Sequence, residues 1–128
     1  MMVDHYENID DYHLWVILTN PVEGREEAFN EWYEEHVGEI VDVDGHTWGR
    51  RYVIDPDQRP GMHEPEYRYL ALYGFTGAPN RIHAALRASD EAGVTRGSDA
   101  LDPSYGAWVY TPINDLYAHP GETVDEEY

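Results

Sequence analysis

Apolar and aromatic residues recur at steps of one, three and four along one stretch of the chain: Ala28, Phe29, Trp32, Tyr33, His36, Val37 and Ile40. That spacing draws a single stripe along an α-helix. Glu26, Glu27, Asn30, Glu31, Glu34, Glu35 and Glu39 fill the opposite side and face water. The pattern predicts a helix over Glu23–Ile40, with glutamates in the first turn, where the positive end of the helix dipole favours them. Its apolar stripe needs a sheet or another helix to cover it.

The remaining pattern supplies the cover. Tyr12–Thr19 is almost continuously apolar, which predicts a strand buried on both faces, and Asn20-Pro21 closes it. After a turn at Val41–Gly45, His46–Ile54 reads as a second strand. Its alternation sets Trp48, Arg50, Tyr52 and Ile54 on one face and Thr47, Arg51 and Val53 on the other. Asp55–Pro65 holds three prolines and a glycine and reads as a long loop, a candidate rim or lid. Glu66–Phe75 is the third strand, with Tyr67, Tyr69, Ala71, Tyr73 and Phe75 sharing a face. Pro79 opens a second helix over Asn80–Ala92, with Ile82, Ala85, Leu86 and Ser89 turned inward. Gly93–Pro103 is a connection, and Tyr105–Ile113 the fourth strand.

One domain over residues 11–113 is therefore expected, between a polar arm (1–10) and an acidic tail (114–128). The element order β-α-β-β-α-β belongs to the α+β class. It predicts the ferredoxin-like arrangement, a four-stranded antiparallel sheet with both helices on one face. The uncovered face is apolar too, since Leu14, Val16 and Leu18 alternate with Trp15 and Ile17, and Leu70 and Leu72 with Tyr69 and Tyr73. An apolar face of that size predicts a partner, most simply a second copy packed sheet to sheet in a homodimer.

Composition narrows the function classes. The 128 residues suffice for one real core. There is no cysteine, so disulfides and thiolate sites are excluded. The eight basic residues are all arginines, which excludes a Schiff-base lysine. A formal charge of -18 opposes nucleic acid and anionic membrane surfaces as partners. No run is long and apolar enough to span a bilayer, and MMVDHYENIDD lacks the regions of a signal peptide, so a cytoplasmic location is expected. The 11 Tyr and 4 Trp against 2 Phe favour aromatics with a polar handle, suited to a ligand or a partner.

Candidate chemistry centres on His36, inward-facing near the end of the first helix, as a general acid or base. The alternative is a histidine that bonds a backbone carbonyl and packs the helix end. Tyr33 offers a phenol donor, and Trp32 a pocket wall or plain core packing. His46, Trp48, Arg50 and Tyr52 line the start and one face of the second strand, where Arg50 could orient an anionic oxygen or pair with a carboxylate. Tyr69 and Tyr73 share a face of the third strand, and Trp108 and Tyr110 a face of the fourth. They form an aromatic box against His36 if those faces meet the helices, or the dimer core if they meet a partner. His13 and His83 could approach the pocket. No clustered ligand pattern suggests a metal, and no glycine-rich phosphate loop is present, so no metal or cofactor is expected.

The segment VILTNPVEGREEAFNEWYEEHVGEIVDVDGHTWGRRYVI, followed by YRYLALYGF, resembles the EthD-like branch of the dimeric α+β-barrel superfamily. The resemblance rests on Gly24-Arg25-Glu26, Trp32-Tyr33, His36, Asp44-Gly45-His46, Arg50-Arg51-Tyr52 and Tyr69-Leu70-Ala71-Leu72-Tyr73. It covers about residues 13–113. It implies a homodimer with a pocket between the helices and the sheet of each subunit, but no single reaction. The residues and the resemblance together suggest a small cofactor-independent enzyme acting on a hydrophobic, aromatic or phenolic molecule. His36 would move a proton, with Tyr33, another tyrosine or His46 as second group, in lyase, cyclase or isomerase chemistry. A cofactor-free monooxygenase and a non-catalytic small-molecule-binding or accessory protein are the alternatives; haem handling is a further one.

Overall fold

The structure, a computed structural model, describes residues 12–43, 45–117 and 119–120. The arm expected over residues 1–10 and the tail beyond residue 120 lie outside them. The elements are β1 (His13–Thr19), α1 (Glu26–Val41), β2 (His46–Val53), β3 (Tyr69–Phe75), α2 (Pro79–Glu91) and β4 (Gly106–Tyr110). The strands form one sheet in the order β2-β3-β1-β4. Every neighbouring pair is antiparallel. This is the α+β, ferredoxin-like arrangement that the element order predicts. Among the described residues no helix is long and apolar enough to cross a membrane.

Three elements are shorter by two residues or more than the sequence pattern suggests, each for a local reason. Gly24 takes a φ of 80°, and the Arg25 N–H bonds the Val22 carbonyl, so a turn precedes α1 and the helix starts at Glu26 rather than Glu23. Glu26 and Glu27 then sit in its first turn. The Arg68 N–H bonds the Asn20 side chain rather than a strand neighbour, and β3 begins one residue later. Beyond Tyr110, Pro112 has no N–H to pair, and the Thr111 hydroxyl meets His13 Nδ1 at 2.9 Å.

The sheet has two distinct faces. Ile17, Ala71 and Tyr73 pack with Phe29, Tyr33 and Ile40 of α1 and with Ala100 in the main core cluster. Arg51 of β2 lies between sheet and helix. It donates to Glu34 at 3.1 Å and to Asn30 at 2.6 Å, and its guanidinium carbon stands 4.8 Å from the Tyr33 ring centre. The cation is thus held by carboxylate, amide and aromatic faces together. Close approach of Tyr73 to β2 depends on Gly49. A Cβ there would stand 2.6 Å from the tyrosine ring and 2.8 Å from Val41.

The second face carries Leu14, Val16 and Leu18 of β1, paired in register with Tyr110, Trp108 and Gly106 of β4. Trp48 packs against Gly74, where a Cβ would come within 2.2 Å of the indole nitrogen. Among the described residues no helix covers this side, and Trp48, Tyr52, Trp108 and Tyr110 are exposed.

One expectation is corrected by strand geometry. Simple alternation sets His46 on the face of Trp48, Arg50 and Tyr52. A β-bulge between His46 and Trp48 breaks the alternation and turns His46 to the helix side. Its ring lies 5.9 Å from Tyr73, 6.0 Å from Phe75 and 6.2 Å from Trp15, centre to centre. Nδ1–H donates to the Val43 carbonyl at 3.2 Å, while Nε2 is buried without a partner among the described residues.

Burial disfavours the imidazolium and holds the His46 pKa below its ordinary value, outweighing the opposing bond to Val43. The unfolded chain then takes up this proton before the folded one. Stability from neutral His46 is complete above the unfolded value of about 6.5 and falls as pH drops through the folded one. Denaturation midpoints compared between about pH 8 and about pH 5 should therefore fall further for the native chain than for His46→Phe. Equal losses would contradict the assignment.

Candidate active site

The end of α1 and the half of the sheet made by β1 and β4 border a partly open cavity of about 370 Å³. Trp15, Ile17, Thr19 and Ala107 make its floor, and Trp32, Tyr33 and His36 its helical wall. Asp90 at the end of α2, then Thr95, Arg96, Gly97 and Leu101 of the connection that follows, and Tyr105 just before β4, line the remaining side. A volume of this order suits one small organic molecule.

His36 reaches this wall because α1 presents residues 29, 32, 33 and 36 on one side. Its ring stacks on Trp32, with centroids 4.5 Å apart and planes 22° apart, and meets Tyr33 edge-on at 5.6 Å. Nδ1 lies 3.1 Å from Glu39 Oε1, one helical turn further on. The Glu39 oxygen also accepts the Arg96 backbone N–H at 3.1 Å. Burial would raise the Glu39 carboxyl, but the Arg96 N–H and His36 together hold it below the usual carboxylate range. An ionised carboxylate can only accept, so Nδ1 carries the imidazole proton. Nε2 is left with its lone pair and has no protein partner among the described residues. This geometry suits a general base, oriented by a carboxylate that stays charged.

The connection is fastened to α1 a second time, since Trp32 Nε1–H donates to the Arg96 carbonyl at 2.9 Å. Thr95, almost fully buried, donates to Asp90 at 2.5 Å. Tyr33 is buried and its phenol is pushed up to about 12, burial outweighing the nearby Arg51 cation. At neutral pH it is therefore a donor and not a base. Tyr73 is pushed up as well, by burial and then by Tyr33. The two phenols influence each other, yet no hydrogen bond of normal geometry joins Tyr73 to the described protein.

Of the residues singled out in the sequence, His36, Tyr33 and Trp32 come together here. The others do not. His46 lies deeper, under Trp15 and Tyr73. Tyr69 is tied to Glu26 and Asn30. His13 packs on Phe75, and His83 touches the edge of Trp15.

Trp48 and Tyr110 line a separate apolar groove of about 580 Å³ on the uncovered face, with Tyr12, Leu14, Leu72, Thr111 and Pro112. Arg50, Tyr52 and Trp108 share that face by register. The aromatic box read from the strands is thus split between two sides of the sheet. Thr19, Thr95, Arg96 and Tyr105 were not legible as site residues. Three of them sit in or just after a connection whose path the local pattern does not specify, and Thr19 reads as an ordinary strand end. Among the described residues no three of His, Cys, Asp or Glu converge as a metal site would require.

No protein-family profile and no curated protein sequence matches the chain. Solved structures do share its fold. A single-residue variant of SnoaB, a cofactor-independent oxygenase from Streptomyces nogalater, superposes with a TM-score of 0.57 at 14% identity, over 83% of this chain and 97% of that one. A candidate monooxygenase from Shewanella loihica PV-4 gives 0.55 at 14% identity, over 80% and 95%. An EthD family protein from Bacillus halodurans C-125 gives 0.51 at 13% identity, over 80% and 98%. These structures share the ferredoxin-like α+β fold of the chain over most of its length.

Proposed function

We propose that this chain is a cofactor-independent monooxygenase acting on an electron-rich aromatic or phenolic molecule in the cavity beside α1. The observation that carries the reading is the His36–Glu39 pair, which leaves Nε2 as a free base on the cavity wall. His36 takes a proton from an acidic hydroxyl or an activated C–H of the substrate. The resulting anion is electron-rich enough to give its electrons to dioxygen. Where the oxidised position is an activated methylene, one oxygen atom becomes a carbonyl on that carbon. The other leaves as water with both methylene hydrogens, so the substrate itself is the reductant. The chain's part is to bind the ring between Trp32 and the sheet, orient the base and keep Tyr33 neutral as a donor. The fold shared with SnoaB supports oxygen chemistry over the lyase or cyclase use of the same base.

Oxygen uptake measured across a panel of phenolic and enolisable polycyclic aromatics tests this. His36→Ala should lower turnover by about a hundredfold or more. Glu39→Gln, which keeps an acceptor but loses the charge, should lower it less. Undiminished turnover in His36→Ala would rule out His36 as the base. Product formation without oxygen uptake would move the assignment to a lyase or cyclase, and binding without turnover to a non-catalytic protein.

We further propose a cytoplasmic homodimer, formed by packing the uncovered sheet faces together. Leu14, Leu72, Trp48 and Tyr110 line an apolar groove there that no element of the described chain covers. Sedimentation velocity should give twice the chain mass. Leu72→Asp should yield monomer, whereas Val94→Asp, at an exposed position in the connection after α2, should not. A monomer for the native chain at micromolar concentration would contradict the arrangement.

A further inference from the structure

Within the cavity, one buried group has bonding capacity that neither the fold nor the proposed proton transfer uses. Thr19 is 1% exposed, it lines the cavity floor, and its Oγ1 has no hydrogen-bond partner among the described residues. A threonine at a strand end ordinarily reaches water or a backbone carbonyl. Here the last residue of β1 is buried away from bulk solvent, and no carbonyl of the described residues accepts from it. A buried hydroxyl without a partner costs stability that valine, of nearly the same shape, would not.

The other polar groups around the cavity are differently placed. Thr95 is spent on Asp90. The Arg96 carbonyl and N–H are spent on Trp32 and Glu39. His36 commits Nδ1 to Glu39 and keeps Nε2. Thr19 and His36 come from different elements, β1 and α1, and do not bond each other. Trp15, Ile17 and Trp32 form apolar surface on the same cavity.

We infer that Thr19 is a specificity-determining residue that hydrogen-bonds a second oxygen of the substrate. The ligand class is then an aromatic molecule with two oxygen functions. One is the acidic group that faces His36 Nε2; the other is a carbonyl or hydroxyl, set apart on the ring framework, that pairs with Thr19 Oγ1. A singly oxygenated aromatic leaves Thr19 unpaired and binds less well, because a site built to hydrogen-bond a group discriminates against the analogue that lacks it. This rests on the small-molecule reading of the cavity, but not on oxygen being the second reactant.

Calorimetric titration of naphthol and of the dihydroxynaphthalene isomers into the full chain tests it without any turnover. At least one dihydroxynaphthalene should bind about tenfold tighter than naphthol. Thr19→Val should remove that margin by weakening the dihydroxy compound alone, and should raise the melting temperature. Thr19→Ser should keep the margin, and Thr19→Ala can replace the valine variant if that one does not fold. Equal affinity of the native chain for both classes, no binding of either, or a margin that persists in Thr19→Val would overturn the inference. Loss of oxygen uptake with the margin intact would instead count against the monooxygenase reading alone.

Discussion

A single carboxylate oxygen, Glu39 Oε1, decides what the end of α1 can do. It accepts from the His36 imidazole and from the Arg96 backbone, each at 3.1 Å. The first bond selects the tautomer and leaves Nε2 of a helix-end histidine with its lone pair. The second ties the connection after α2 to the helix, so that the same group orients the imidazole and holds the connection beside the cavity. Partial burial alone would push this carboxyl towards its neutral form, and the hydrogen bonds reverse that. Trp32 completes the arrangement. Its ring stacks on His36 while its N–H holds the Arg96 carbonyl, so imidazole, helix and connection are fixed relative to one another.

The sheet divides its labour by face. Towards the helices it offers small or closely fitted groups. Gly49 lets Tyr73 lie close, and Arg51 spreads its charge over Phe29, Tyr33 and Tyr69. That cation opposes the burial that raises the Tyr33 phenol, but does not overcome it. Away from the helices the sheet offers broad aromatic and aliphatic surface, exposed over Trp108 and Tyr110. The cavity is therefore lined by α1, the sheet and the connection after α2 of one chain, while the opposite face carries exposed aromatic surface.

Much of this was legible in the sequence, because the relevant patterns are local. The stripe Phe29, Trp32, Tyr33, His36 and Ile40 is read at helical spacing, and it does place His36 beside Trp32 and Tyr33. Strand alternation separates Tyr69 and Tyr73 from Leu70 and Leu72, as found. It could not say which face meets the helices, since both are apolar, and so Trp108 and Tyr110 stayed undecided. His46 was missed by parity, because one extra residue at a bulge inverts everything before it. Glu39 was visible on the polar side of the helix, but its role depends on Arg96, more than fifty residues later in the chain. Thr19 gave no signal, since the missing hydrogen bond is a property of packing and not of residue type.

The central claim is that His36 is presented to the cavity as a Nδ1-protonated imidazole with a free Nε2. Nitrogen-edited NMR of histidine-labelled protein measures this directly at a pH where the ring is neutral. Native His36 should show a protonated, pyrrole-type Nδ1 and an unprotonated, pyridine-type Nε2, and Glu39→Leu should release it to the tautomer mixture of a free histidine. A native Nε2-protonated ring, or a mixture unaffected by Glu39→Leu, would contradict the account.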